Sequence, residues 1–265
     1  MFTCERFIDK IIQRLYRNNS LEGENELDYW NRLWQKSIDY YKEKGVPEEI
    51  ESLWWKYLYD EMLDHYIELL GTINNKSICE LGSGSGYSSL MMATKGANVT
   101  LVDYAPLSSE YSKLICQYMN LDANKINFIT DDAFSKDLNI GQFDVVWNCG
   151  VIEHYDWDEA VELIRIMAKH ATKGGKVMVT LPNLIAPEFI YLTITVGKSS
   201  EKYYSYRMLK KIMQEAGLLN VQVKAINYWL PSNISGEFAN KMRKYKFFKH
   251  FKGLCWLFTA IGEKQ

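Results

Sequence analysis

Three apolar stripes at helical spacing open the chain. Phe7, Ile8, Ile11, Ile12, Leu15 and Tyr16 form the first, before a polar break at Asn18-Asn19-Ser20. Trp30, Leu33, Trp34, Ile38 and Tyr41 form the second, which Gly45 stops. Pro47 suits a first helical position, with Glu48 and Glu49 in the favourable first turn. The third helix then carries Ile50, Leu53, Trp54, Tyr57, Leu58 and Met62, with Gly71 as its C-cap.

From residue 77 the rhythm changes to short apolar runs alternating with helical stretches. The runs at Ser77–Leu81, Val99–Asp103, Ile126–Ile129, Phe143–Trp147, Lys176–Leu181, Val221–Tyr228 and Leu254–Ile261 predict strands. Helices are predicted around 87–95, 107–119, 158–170 and 205–216. Strands separated by helices imply right-handed crossovers and a mostly parallel sheet covered on both faces. Two stretches, 183–204 and 231–252, interrupt the pattern. The expected division is therefore a helical segment over 1–76 and an α/β domain over 77–265 with two insertions.

Composition narrows the classes. The chain has 265 residues and a formal net charge of -2, which argues against a nucleic-acid binder held by a basic face. Its five cysteines are scattered, with no CxxC or His/Cys pair, so no zinc site is expected and the compartment reads as reducing. Glu5, Arg6, Asp9 and Lys10 interrupt the apolar residues of the N-terminus, unlike a signal peptide. No apolar run approaches the ~18 residues of a membrane span. These features together give a cytoplasmic expectation. The aromatic content, 14%, is the unusual figure, and the rings gather in 1–76 and 183–252. They are expected to wall a pocket above the sheet.

The chemistry lies at the end of the first strand, in Glu80-Leu81-Gly82-Ser83-Gly84-Ser85-Gly86. Glycines there allow a tight turn and a close ligand approach, and the following helix offers free N–H groups. The spacing is G-x-G-x-G, not the G-x-G-x-x-G of nicotinamide binders. Asp103 ends the second strand, where a carboxylate can bind both ribose hydroxyls. In these residues the chain resembles the class I S-adenosylmethionine-dependent methyltransferases. Further landmarks follow in order: Asp131-Asp132-Ala133-Phe134, Phe143-Asp144-Val145-Val146-Trp147-Asn148, Gly150-Val151-Ile152-Glu153-His154 and Lys173-Gly174-Gly175-Lys176. In the last, Thr172-Lys173 stands where the family usually has Lys-Pro. The resemblance covers about 77–230 and the final strand, but not the first 70 residues.

The resemblance implies an α/β, Rossmann-like, seven-stranded and mostly parallel sheet with helices on both faces, here under an N-terminal helical cap. It implies S-adenosyl-L-methionine as cofactor. Glu80 would hold the methionine ammonium end, and Gly82, Ser83, Gly84 and Gly86 would wrap the methionine and ribose. Asp103 would take the ribose hydroxyls, and Tyr104 would pack on the adenine. Asp132, with Asp131 as competitor, would accept from the adenine amine, beside Ala133 and Phe134. Asn148 and Cys149 would line the methionyl side through backbone groups. Structural roles stand beside these: Glu80 as a loop cap, Tyr104 and Phe134 as core at the sheet edge.

A sulfonium methyl is already activated, so the protein has mainly to align the acceptor and exclude water. His154 is the candidate base for an O- or N-nucleophile, with Tyr155 and Asp156 as neighbours. The expected partner is a small molecule, apolar, aromatic or cationic. Phe189, Tyr191, Tyr203, Tyr204 and Tyr206 would either wall its site or pack a lid onto the domain. The basic, aromatic run 241–252 would touch an anionic membrane surface or form a solvated helix face. Two rival readings are a non-catalytic S-adenosylmethionine-binding module and a nicotinamide-dependent oxidoreductase. Oligomeric state is left open.

Overall fold

The computed structural model describes residues 25–51, 53–186, 189, 201–228 and 255–265. The helix expected over Phe7–Tyr16, Cys4, Tyr191 and the 231–252 stretch lie outside the described residues.

Helix α1 (Glu26–Lys44) begins where the Asn25 side chain accepts from the Leu27 N–H at 3.0 Å. It ends at Gly45, whose left-handed backbone (φ 72°) lets its N–H reach the Tyr41 carbonyl at 2.8 Å. The third predicted helix does not start at Pro47. A short 3-10 turn, Glu48–Ile50, comes first, and helix α2 spans Leu53–Leu70. Tertiary partners hold the turn. Ser37 donates to Glu48 Oε2 at 3.0 Å, and the Tyr111 hydroxyl accepts from the Glu48 N–H at 3.1 Å.

Seven strands follow: β1 (Ser77–Leu81), β2 (Asn98–Asp103), β3 (Asn127–Thr130), β4 (Phe143–Cys149), β5 (Ala171–Pro182), β6 (Leu219–Tyr228) and β7 (Cys255–Glu263). Helices α3 (Tyr87–Ala93), α4 (Pro106–Tyr118), α5 (Trp157–His170) and α6 (Tyr206–Glu215) connect them. The sheet order is β3-β2-β1-β4-β5-β7-β6. Pairs within β3 to β5 are parallel, while β7 runs antiparallel to β5 and β6. The order reverses between β1 and β4, and ligands of open α/β sheets bind at the carboxyl ends of the strands beside such a point.

Side chains alternate between two cores, as the period of two requires. Val146 and Val179 face α5 and α6, while Val145, Trp147 and Met178 face α2 to α4. The Gly174-Gly175 pair corrects the expected boundary. β5 begins five residues before Lys176, and the glycines form an irregularity inside it, with pairing jumping from Phe143↔Ala171 to Val145↔Lys176. The Gly174 N–H bonds the Lys264 carbonyl at 3.1 Å, so the pair is tied to the chain beyond β7.

Candidate active site

The strand β1 delivers its loop to the reversal point. The N–H groups of Gly82 and Ser83 both bond the Val102 carbonyl of β2, at 2.8 and 3.0 Å. Asp103 fastens the next turn: its Oδ2 accepts from the Gly84 N–H at 2.7 Å and its Oδ1 from the Ala105 N–H at 2.9 Å. Helix α4 adds two hydroxyls, Ser108 donating to the Gly84 carbonyl at 2.6 Å and Ser112 to the Ser85 carbonyl at 2.9 Å. Gly82 and Gly84 have φ of 69° and 50°. Neither has room for a methyl group: a Cβ at Gly82 would stand 2.8 Å from a Val151 methyl, and one at Gly84 2.9 Å from the Trp34 ring.

Above this loop lies a cavity of about 240 Å³. Its floor is Glu80, Gly82–Ser85, Asp103 and Cys149–Val151; Tyr104, Asp131–Ala133, His154 and Tyr155 form one wall. The roof comes from the N-terminal helices: Glu26, Trp30 and Trp34, one helical turn apart on α1, and Tyr59 on α2. Apart from His154, every ionisable lining group among the described residues is a carboxyl, a thiol or a phenol. That donor set favours a ligand carrying positive charge.

Glu80 is 4% exposed, and one of its oxygens has no protein partner. Ser89 stands beside the carboxyl, and its Oγ accepts from the Trp147 indole at 2.9 Å. Burial pushes the Glu80 carboxyl up to about 8, with the Asp103 charge adding and Ser89 opposing. Burial also raises Asp103, against its two backbone donors. His154 moves the other way. Desolvation holds its imidazole below the ordinary value of 6.5, although Glu201, Glu26 and a hydrogen bond to the Gly150 backbone oppose that shift. Its ring meets Trp30 edge-on, centroids 5.7 Å apart. A neutral imidazole keeps one ring nitrogen able to accept a proton.

The structure brings most of the sequence-derived residues together. Glu80, Gly82, Ser83, Gly84, Asp103, Tyr104, Asp132, Ala133, Cys149 and His154 all border the cavity. Three do not. Gly86 caps α3 beneath the loop, and Phe134 stands behind the wall with its ring 5.1 Å from that of Tyr155. The Asn148 side chain turns to the opposite face of β4 and donates to Met167 Sδ at 3.4 Å. Asp131 and Asp132 both line the wall; Asp132 Oδ1 already accepts from the Phe134 N–H at 2.9 Å.

The aromatic wall is sited differently from one half of the expectation. Phe189 packs on Trp256 with centroids 4.5 Å apart, Tyr206 meets Phe258, and Tyr203 and Tyr204 are buried away from the cavity. The roof rings come instead from 1–76. The sequence led us to expect the rings of 1–76 to wall the pocket as a group, but it singled out none of Glu26, Trp30, Trp34 or Tyr59. The Glu26/Trp30/Trp34 spacing was the available signal, but a helical apolar stripe does not say what it covers.

Residues 79–177 match a family model described as a methyltransferase domain. Among curated proteins, the ubiquinone biosynthesis O-methyltransferase of Nitrosomonas europaea is 25% identical over 178 residues, covering 63% of this chain and 73% of that protein. Two solved structures share the fold. The magnesium protoporphyrin IX methyltransferase of Synechocystis, with bound S-adenosylhomocysteine, aligns with a TM-score of 0.54 at 15% identity, over 100% of this chain and 96% of that one. The geranyl diphosphate C-methyltransferase of Streptomyces coelicolor aligns with a TM-score of 0.61 at 12% identity, over 92% and 99%. With the strand order, the glycine loop and the domain match in place, residues 79–177 of the chain carry an S-adenosylmethionine-dependent methyltransferase domain on a Rossmann-like sheet. S-adenosylmethionine is its cofactor, and the carboxylate-lined cavity with an unpartnered Glu80 oxygen suits a cationic ligand of that kind.

Proposed function

We propose that the protein methylates an oxygen atom of a small, partly aromatic molecule, with His154 as proton acceptor. The observation that carries this reading is the His154 ring, edge-on to Trp30 in the wall of the same cavity as the glycine loop. A hydroxyl acceptor must lose its proton during transfer, which a neutral imidazole can take. The N. europaea relative, an O-methyltransferase by name, supports oxygen over nitrogen.

The cofactor, when bound, supplies an electrophilic methyl group on a sulfonium. The chain's residues do the rest. Asp103 retains lone pairs beyond those used by Gly84 and Ala105, and accepts from the ribose hydroxyls. Glu80 accepts from the ammonium group with its free oxygen. Asp132 and Ala133 would hold the adenine together with Tyr104, and Cys149 would border the methionyl part; all four line the cavity. Trp30, Trp34 and Tyr59 keep water out, so the helices of residues 25–70 act as a cap on the domain that follows. The buried thiols Cys79 and Cys116, neither of them in a disulfide, accord with a cytoplasmic site of action.

The test is incubation with methyl-labelled S-adenosylmethionine and a panel of phenols, catechols and amines, read by mass spectrometry. The expected product is a methyl ether whose formation falls sharply in His154→Asn. Exclusive methylation of amines, or turnover indifferent to His154, would contradict the proposal.

A further inference from the structure

Three neighbouring positions at the glycine loop each meet a different piece of the N-terminal segment. Trp34 of α1 covers Gly84. Glu49, in the 3-10 turn, lies beside Ser85: burial raises its carboxyl above the ordinary range, and the Ser85 and Tyr111 hydroxyls oppose that rise. Tyr59 of α2 packs on Tyr87, ring centroids 4.7 Å apart. Helix α4 closes the circuit through Tyr111. Its hydroxyl donates to Glu49 Oε2 at 2.8 Å and accepts from the Glu48 N–H at 3.1 Å, while its ring stacks on Trp34 at 6.1 Å. The next residue, Ser112, holds the Ser85 carbonyl. One carboxyl thus joins the turn, α4 and the loop.

From this geometry we infer that Glu49 is a positioning residue, fixing the glycine loop through Ser85 and coupling cofactor affinity to docking of the N-terminal helices. Glu49 does not border the cavity and makes no contact with a ligand there. It acts on the loop's shape. The Tyr111 hydroxyl donates to the ionised form of Glu49 in a charge-assisted bond, which is stronger and shorter than a neutral one. The coupling is reciprocal: whatever docking contributes to cofactor affinity, cofactor binding returns to docking. A purely structural Glu49 would hold α1 and α4 together without reference to Ser85.

The test has two readouts. Titration of S-adenosylhomocysteine is compared for the wild type, Glu49→Gln, Glu49→Ala, Ser85→Ala and the Glu49→Gln/Ser85→Ala double variant. Affinity should fall at least threefold in each single variant, least in Glu49→Gln, whose carbonyl oxygen still accepts one hydroxyl. The double variant should bind no worse than the weaker of its two parents. Independent of any ligand, amide exchange should quicken together over 84–87 and 26–44 in Glu49→Ala, with β4 and α5 unchanged. Wild-type affinity in both Glu49 variants, effects that multiply in the double variant, or unaltered exchange over 84–87 would each overturn the inference.

Discussion

The indole of Trp34 lies so close over Gly84 that a methyl group on that glycine would stand 2.9 Å from Cζ2 and 3.0 Å from Cη2. Roof and cofactor loop are therefore in direct contact. Gly84→Ala meets two penalties, the ring and a backbone at φ 50°, and left-handed geometry alone costs about 1–3 kcal/mol. We expect S-adenosylhomocysteine affinity to fall at least tenfold. Trp34→Ala in the same chain should restore part of the loss by removing the ring. Calorimetric titration of the single and double variants reads both effects.

His154 gives a prediction in rate. Its imidazole is held below 6.5, chiefly by burial, so the ring is neutral at pH 7 and becomes charged only as pH falls further. Activity should decline on the acid side with a midpoint below the ordinary histidine value. His154→Asn should lose that limb and about 10²-fold in kcat, with S-adenosylhomocysteine affinity within threefold of wild type. A pH–rate profile of both proteins checks this.

Glu80 gives a prediction in protons. With its carboxyl at about 8, the cofactor-free protein holds it mostly protonated at pH 7. An ammonium group beside it favours the ionised form, so binding should release protons. Calorimetry of S-adenosylhomocysteine in two buffers of different ionisation enthalpy should show the release in wild type. Glu80→Gln should abolish it and weaken binding.

Glu153, 2% exposed with one unpartnered oxygen, makes the same argument about stability. Burial raises its carboxyl to about 8, with Glu201 adding and its own backbone N–H opposing. The native state then holds a proton that the unfolded chain gives up above the ordinary glutamate value of 4.5. The resulting stabilisation is full below that value and is lost as pH rises through about 8. Glu153→Gln stays neutral throughout. Its Tm advantage over wild type should therefore grow between pH 5 and pH 8.5, each kcal/mol being worth about 2–4 °C in a chain of this size. Thermal unfolding by circular dichroism at both pH values measures it.

What was legible in the sequence was local. The β1 loop and Asp103 could be read because tight turns need glycine and because strand ends carry their chemistry in one short run. The seven strands were visible as short apolar runs, with ends within a few residues of those found. The Gly174-Gly175 pair misled because two glycines read as a turn, whereas cross-strand pairing with the segment after β7 keeps them in β5. The Pro47 helix start misled because Ser37 and Tyr111, remote in sequence, hold Glu48 in a 3-10 turn. Asn148 could not be oriented without knowing which face of β4 meets α5. The rings of 1–76 were expected over the sheet, but not which of them would roof the loop: Trp30 and Trp34 announce a buried face, and the packing of α1 over Gly84 is tertiary.

The central claim is that the cavity over Gly82–Gly86 holds S-adenosylmethionine with Asp103 on its ribose. Calorimetric titration of S-adenosylhomocysteine into the folded wild type and Asp103→Ala tests it most directly. The account predicts one site per chain and at least a tenfold loss in the variant, since charge-assisted hydrogen bonds are worth about 1.5–3 kcal/mol each. No binding by wild type at millimolar ligand, or equal affinity in the two proteins, would contradict it.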